Sequence, residues 1–172
     1  MPEDAFKACI NRQRNSPSSA LQTTLDTVEA LETENAALRA YLSVDADTDT
    51  VTLSGANLYI QSGSGATDGS VNGLGNLILG YNEDATGDDA RGGSHTLVIG
   101  REHSWTSHGG LITGYDNAIT AAGAVVLSGE ENTASAELSV VTGGFRNDAE
   151  GDYSAIHGGQ SNTLTDSHAY GP

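Results

Sequence analysis

Residues 109–168 decide the fold, because they divide into four stretches of 15 with one shared pattern: GGLITGYDNAITAAG (109–123), AVVLSGEENTASAEL (124–138), SVVTGGFRNDAEGDY (139–153) and SAIHGGQSNTLTDSH (154–168). Each stretch has a glycine at its sixth position, an aliphatic residue three positions earlier and an asparagine three positions later. Two degenerate copies precede them, around Gly80 and Gly100, and the 20 residues between these glycines imply an inserted loop near residues 88–93. Repetition at a fixed period predicts a solenoid.

The repeat assigns positions to the core and to the turns. Strand side chains alternate between faces, so two apolar anchors per 15 residues predict two short strands and two turns per coil. We expect two inward rows, formed by Leu77, Leu97, Leu111, Val126, Val141 and Ile156, and by Trp105, Ile119, Ala134, Ala149 and Leu164. Glycine and asparagine tolerate positive φ, which predicts turns at Gly80, Gly100, Gly114, Gly129, Gly144, Gly159, Asn117, Asn132, Asn147 and Asn162.

The same period predicts an apolar outer face. Val125, Val140 and Ala155 stand one residue before inward anchors, so they point outward, where sister subunits could cover them. A hexapeptide β-helix is disfavoured, because its anchors recur every six residues and 15 is not a multiple of six. The expected fold is mainly β, a parallel roll with coils of about 15 residues.

Residues 19–43 predict the helix of a parallel, trimeric coiled-coil stem. Ser19 and Gln22 fit a capping box, and neither Gly nor Pro follows before Leu42. Steps of three and four residues place a heptad seam, with a polar a position at Asn35 that favours a fixed register. The seam consists of Leu21, Thr24, Val28, Leu31, Asn35, Leu38 and Leu42. The alternative to a coiled coil is an amphipathic helix that packs on its own domain.

Two further segments are predicted, one before the stem and one between the stem and the roll. Residues 1–18 are polar and unpatterned, and residues 44–72 are predicted to be an acidic linker with adaptor strands before a roll at 73–172. The acidic stretch 43–50 resembles the start of a calcium loop, but it lacks the required glycine and glutamate, which favours a solvated linker. The adaptor strands are expected from the alternation at Val51, Leu53, Leu58 and Ile60.

Composition excludes several partners. Among 172 residues, 7 Lys and Arg face 23 Asp and Glu, a net charge of −16, so nucleic acid and anionic membranes are poor partners. Hydrophobic residues make up only 37%, which predicts a thin core for a lone monomer. No stretch approaches the length of a membrane span, and the first residues lack the apolar core of a signal peptide. Cys9 is the single cysteine and cannot form an intrachain disulfide.

No motif indicates catalysis. Patterns of the types C-x-x-C, H-E-x-x-H, P-loop and G-x-S-x-G are missing, so we expect a non-enzymatic protein with no cofactor, catalytic or metal residues. In an oligomer the histidines would repeat around an axis, which leaves a structural metal or anion site open. The irregular coil offers a candidate ligand patch at Asp88, Asp89, Arg91, His103 and Trp105. A second candidate is the aromatic set that follows repeat glycines, which would stack on sugars or pack between subunits: Tyr81, Tyr115 and Phe145.

The G-x-x-N step with its following alanine resembles the left-handed parallel β-roll heads of trimeric autotransporter adhesins over about residues 73–168, and the helical segment resembles their stalks. The segment NGLGNLILGYNE (72–83) also resembles bacterial surface-type proteins with the same plan. The resemblance implies a homotrimer at a cell or virion surface or outside the cell, with itself and a glycan or surface protein as partners.

The order of the segments departs from those adhesins, because the stem comes first and the roll last. That order is typical of phage and contractile-injection fibres, so a structural fibre component with the roll as a rigid spacer is the second hypothesis. An enzyme on a right-handed β-helix is a third, but it needs longer coils and a one-sided cluster of acidic or basic residues that this repeat lacks.

Overall fold

The computed structural model of the chain describes residues 4–5, 7–8, 12, 19–85, 87 and 89–172. Most of the polar segment 1–18, including Cys9, therefore lies outside the described residues. The chain separates into two compact units, Met1–Leu58 and Tyr59–Pro172.

The first unit contains helix α1 (Ser19–Arg39) and strands β1 (Leu42–Asp45) and β2 (Thr50–Leu53). The helix is free of Gly and Pro, and three threonine hydroxyls within it donate hydrogen bonds to carbonyls four residues earlier. Because α1 ends at Arg39, Leu42 lies in β1, and the helical part of the expected seam is one position shorter than predicted.

A hairpin replaces the expected linker. Strands β1 and β2 pair antiparallel, so residues 43–50, although exposed to solvent, belong to two paired strands and a tight turn rather than to an irregular connector. The Asp45 carboxylate accepts hydrogen bonds from the backbone N–H groups of Asp47 and Thr48, which closes the turn. Hydrogen bonding from Thr48 and then Asp47 lowers the pKa of Asp45. Leu58 and Ile60 belong to no strand.

The second unit is a parallel β-solenoid of about five turns, which confirms the predicted mainly β fold with coils of about 15 residues. One face is a seven-stranded sheet of β3 (Leu77–Leu79), β4 (Leu97–Arg101), β6 (Leu111–Tyr115), β8 (Val125–Val126), β10 (Val140–Val141), β12 (Ala155–Ile156) and β14 (Tyr170–Gly171). The other face is a five-stranded sheet of β5 (Ser104–Trp105), β7 (Ala118–Ile119), β9 (Thr133–Ala134), β11 (Asp148–Ala149) and β13 (Thr163–Leu164).

One inward row differs from the predicted row in the early coils. Strand pairing aligns Ile112 with Val126 and Val98 with Ile112, and all three are fully buried. Leu97 and Leu111 are one residue out of register and face outward, only half-buried. The cause is the number of positions between the buried strand residue and the repeat glycine. The glycine follows Ile112 by two positions but follows Val126 by three. Leu77, in the outermost strand of this sheet, is likewise exposed.

The rest of the core follows the predicted spacing. Val126, Val141 and Ile156 are buried in the first row. In the second row four side chains are buried and the last one packs against them half-buried: Trp105, Ile119, Ala134, Ala149 and Leu164.

A hydrogen-bonded ladder runs through the interior beside these rows. The backbone N–H of each rung donates to the side chain of the rung one coil earlier: Asn132 to Asn117 at 2.7 Å, Asn147 to Asn132 at 3.0 Å. The side-chain amides of Asn117, Asn132, Asn147 and Asn162 also donate to backbone carbonyls of their own coil, and the first three of these donate to the next coil as well. The buried Asn82 Nδ2 has no hydrogen-bond partner. The rungs are Asn82, His103, Asn117, Asn132, Asn147 and Asn162.

The ladder corrects the role predicted for asparagine. Left-handed backbone is adopted not by Asn117, Asn132 and Asn147 but by the residue before each. The repeat glycines do have positive φ, and at Gly129 (φ 87°) an added Cβ would collide with the Gly144 carbonyl of the next coil. In the first copy the rung is Asn82, which follows its glycine by two residues instead of three.

Candidate functional site

The predicted ligand patch is not one exposed surface. His103 and Trp105 are 0% and 3% exposed, because both side chains point into the solenoid. The Trp105 indole N–H donates to the Gly93 carbonyl at 3.2 Å and holds the inserted loop against the core. Asp88 lies outside the described residues. The patch therefore separates into a buried pair and a surface pair.

The surface pair consists of Asp89 and Arg91, whose side chains keep 9% and 30% of their area exposed. The Arg91 guanidinium donates to the Asp89 carboxylate at 2.7 Å and to the Glu83 carbonyl at 3.1 Å. These contacts cross the base of the inserted loop, so the pair fixes the loop's path. The Arg91 Nε is buried and has no hydrogen-bond partner.

His103 acts as a rung of the ladder. Its Nδ1 accepts a hydrogen bond from the Asn117 N–H at 3.2 Å, and its Nε2 lies 3.2 Å from the Ile99 carbonyl. These partners require a neutral ring with the proton on Nε2. Burial lowers the pKa of His103, so the structure favours this neutral form.

Two members of the aromatic set lie in a row along one turn of the solenoid, in which Tyr115, Glu130, Phe145 and Gln160 are successive neighbours, whereas the third, Tyr81, is exposed. Tyr115 and Phe145 are separated by Glu130 and therefore do not stack on each other. The guanidinium groups of Arg101 and Arg146 lie over these two rings, 4.4 Å and 4.6 Å from the centroids. One face of each ring is thus already occupied by a cation. The carboxylate of Glu102 is the main cause of a raised pKa at Tyr115.

The seven-stranded sheet carries a continuous apolar row on its outer face. Strand pairing brings one side chain from every strand into this row, and none of the seven is charged. The members, called the outer row below, are Leu77, Leu97, Leu111, Val125, Val140, Ala155 and Tyr170. Sequence reasoning found only Val125, Val140 and Ala155, because alignment on the glycines placed the three leucines of the row in the core.

The predicted seam lies along an exposed face of α1. Leu31 and Leu38 are each 59% exposed, and Val28 is 44% exposed. Asn35 accepts a hydrogen bond from the Arg39 guanidinium at 3.0 Å within the same helix. A single chain therefore leaves these apolar side chains in water.

The histidines do not converge. His95 contacts the loop at 62–67 through the Ser62 N–H and the Thr67 carbonyl, and the exposed His168 stacks on Tyr153 with ring centroids 5.0 Å apart. In the part of the chain that the structure describes, no three His, Cys, Asp or Glu side chains are grouped as metal ligands would be. In the same part, no helix has the length and apolarity needed to cross a bilayer.

Comparison with known proteins gives no assignment, because no protein-family model, curated protein or solved structure matches this chain.

Proposed function

We propose that the chain is a non-enzymatic, homotrimeric fibre or adhesin-like protein in which α1 forms a parallel coiled-coil stem and the solenoid, as a left-handed roll, is the tip. The observation that carries this proposal is the exposed apolar seam of α1, with Leu31 and Leu38 each 59% exposed. Aliphatic a and d positions in water are the pattern that helix association buries. The outer row supports it, since side-by-side packing of the solenoids would cover those side chains.

Light scattering on the full chain in high salt tests the proposal. We expect a mass near three times 17.6 kDa. The variant Leu31→Lys/Leu38→Lys should dissociate it, although added lysines reduce the negative charge and would otherwise favour assembly. The matched variant Ala30→Lys/Ala37→Lys changes neighbouring positions off the seam and should remain trimeric. A monomeric wild-type chain would refute the proposal.

A structural fibre component, with the solenoid as a rigid spacer, is the second candidate function. The burial of His103 and Trp105 favours it, because neither side chain is available to a ligand. A screen against glycans and matrix proteins separates the two functions. Binding that is lost when residues 88–93 are replaced supports an adhesin at a cell or virion surface, and no binding across the screen supports the spacer.

A further inference from the structure

The hairpin of β1 and β2 has one apolar and one polar face. Pairing places Leu42 opposite Leu53 and Val44 opposite Val51, and because side chains alternate along a strand, these four share a face. Val44 is 71% exposed and Val51 64%. The opposite face carries Ser43, Asp45, Thr50 and Thr52. An isolated two-stranded hairpin is marginally stable in water, so a cover on the apolar face would stabilise it.

The apolar face of the hairpin is continuous with the seam of α1. Leu42 is the last heptad position of the seam and also the first residue of β1. A concavity between the helix end and the strand is lined by Leu38, Leu42 and Val44 together with Asn35, Arg39 and Ser43. A side chain from a neighbouring helix or hairpin would therefore meet both surfaces at once.

Charge indicates what covers this face. Each chain has a net charge of −16, so copies can meet closely only where carboxylates are absent. The hairpin satisfies this condition, because Asp45 is on the polar face and Asp47 and Asp49 lie in the turn. We infer that the face formed by Leu42, Val44, Val51 and Leu53 packs against the same face of other copies of this chain, which extends the self-association surface beyond the helix. This inference rests on the proposed self-association of α1.

The apolar face of the hairpin would also enlarge the area that self-association buries. A standard interface buries about 800 Å² on each partner. The seam within α1 is short, and two of its positions, Thr24 and Asn35, are polar. The hairpin adds three large aliphatic side chains to the same surface: Val44, Val51 and Leu53.

Paired lysine variants of the full chain test the inference. Val44→Lys/Val51→Lys changes the apolar face, and Ser43→Lys/Thr52→Lys changes the adjacent cross-strand pair on the polar face. Light scattering over a dilution series gives the concentration at which half of the assembly dissociates. We expect the first variant to raise this concentration at least about tenfold, since each tenfold change corresponds to the loss of a modest apolar contact. The second variant should not raise it, because its added lysines only reduce the repulsion between acidic chains.

Cysteine crosslinking gives a second measurement that does not require the lysine variants to fold. In a Cys9→Ser background, Val44→Cys should form disulfide-linked dimers on mild oxidation, whereas Ser43→Cys should not. Equal crosslinking at the two positions, or none at Val44→Cys, overturns the inference.

The outcomes also separate this inference from the proposed function. If Leu31→Lys/Leu38→Lys dissociates the assembly and Val44→Lys/Val51→Lys does not, the stem stands and the hairpin inference is overturned. If the wild-type chain is monomeric, both fail.

Discussion

Position 103 shows what the ladder requires of a side chain. Asparagine fills the other five rungs, and in four of them the side chain accepts a hydrogen bond from the backbone N–H of the next rung. The neutral imidazole of His103 supplies the same acceptor through Nδ1. A buried donor or acceptor that loses its partner costs about 1–3 kcal/mol, so the rung constrains the protonation state of His103 as well as the residue type.

Stability should therefore depend on pH through His103. Burial holds the pKa of His103 below its ordinary value of about 6.5, so the unfolded chain binds a proton that the folded chain rejects. The contribution of neutral His103 to the free energy of unfolding is fully present above about pH 6.5. It is lost as pH falls toward the pKa of the folded state, by about 1.4 kcal/mol for each pH unit between the unfolded and folded pKa values. Denaturant unfolding between about pH 5 and 8 measures it.

Two variants identify the residue responsible. His103→Asn restores the rung found in the other coils and should flatten the pH dependence. His157→Asn makes the same change at an exposed outward position and should leave it as in the wild type. An identical pH profile for wild type and His103→Asn would contradict the assignment.

At the scale of the elements, the sequence predicted most of the solenoid but not its local register. The 15-residue spacing placed Ile119, Ala134 and Ala149 where the structure has them, because strand alternation leaves one inward position per short strand. The same spacing wrongly assigned Leu97 and Leu111 to the core. The position of a repeat glycine indicates where the turn lies, but not how many residues separate the strand from that turn. One residue more or fewer in this separation turns the side chains of the strand to the opposite face of the sheet.

The candidate site was harder to predict than the core. Their residue types made His103 and Trp105 candidates for a ligand patch. Whether a polar or aromatic side chain points inward, however, depends on its partners in other coils. The hairpin was missed because acidic residues suggest a linker, whereas here they cap and form a turn. The first error comes from contacts between coils that the local sequence does not show, and the second from a local side-chain contact that composition alone does not show.

Truncation of adjacent residues tests the register. Ile112→Ala removes a fully buried side chain and should lower the unfolding free energy by about 2–5 kcal/mol, through lost burial and a residual cavity. Leu111→Ala removes a half-buried side chain of the outer row and should cost less in a dissociated chain. Urea unfolding at low protein concentration compares them, and a larger loss for Leu111→Ala would contradict the observed register.

At the scale of the whole molecule, charge and apolar surface oppose each other. The solenoid shows an uncharged outer row on one sheet, while three copies of the chain would bring together about −48 charges. Screening shortens the reach of that repulsion from about 30 Å at 0.01 M salt to about 3 Å at 1 M. Assembly therefore depends on ionic strength as well as on burial.

We expect the assembled fraction to fall at low ionic strength. Light scattering at about 0.01 M and about 1 M salt, at one protein concentration, measures the change. The Ala30→Lys/Ala37→Lys variant, which is less negative, should lose less of its assembly at low salt than the wild type. A fraction that is the same in both buffers would show that charge repulsion does not limit association.

The ladder has a consequence for how such a chain can change length over generations. Each rung meets the next through the same contact, so a tandem duplication of the codons for residues 139–153 would insert one complete coil whose two ends already match their neighbours. The gene can thus lengthen in steps of 45 nucleotides, each adding about 4.8 Å along the axis. Insertions of other sizes would have to bulge out as loops, as the segment between β3 and β4 does.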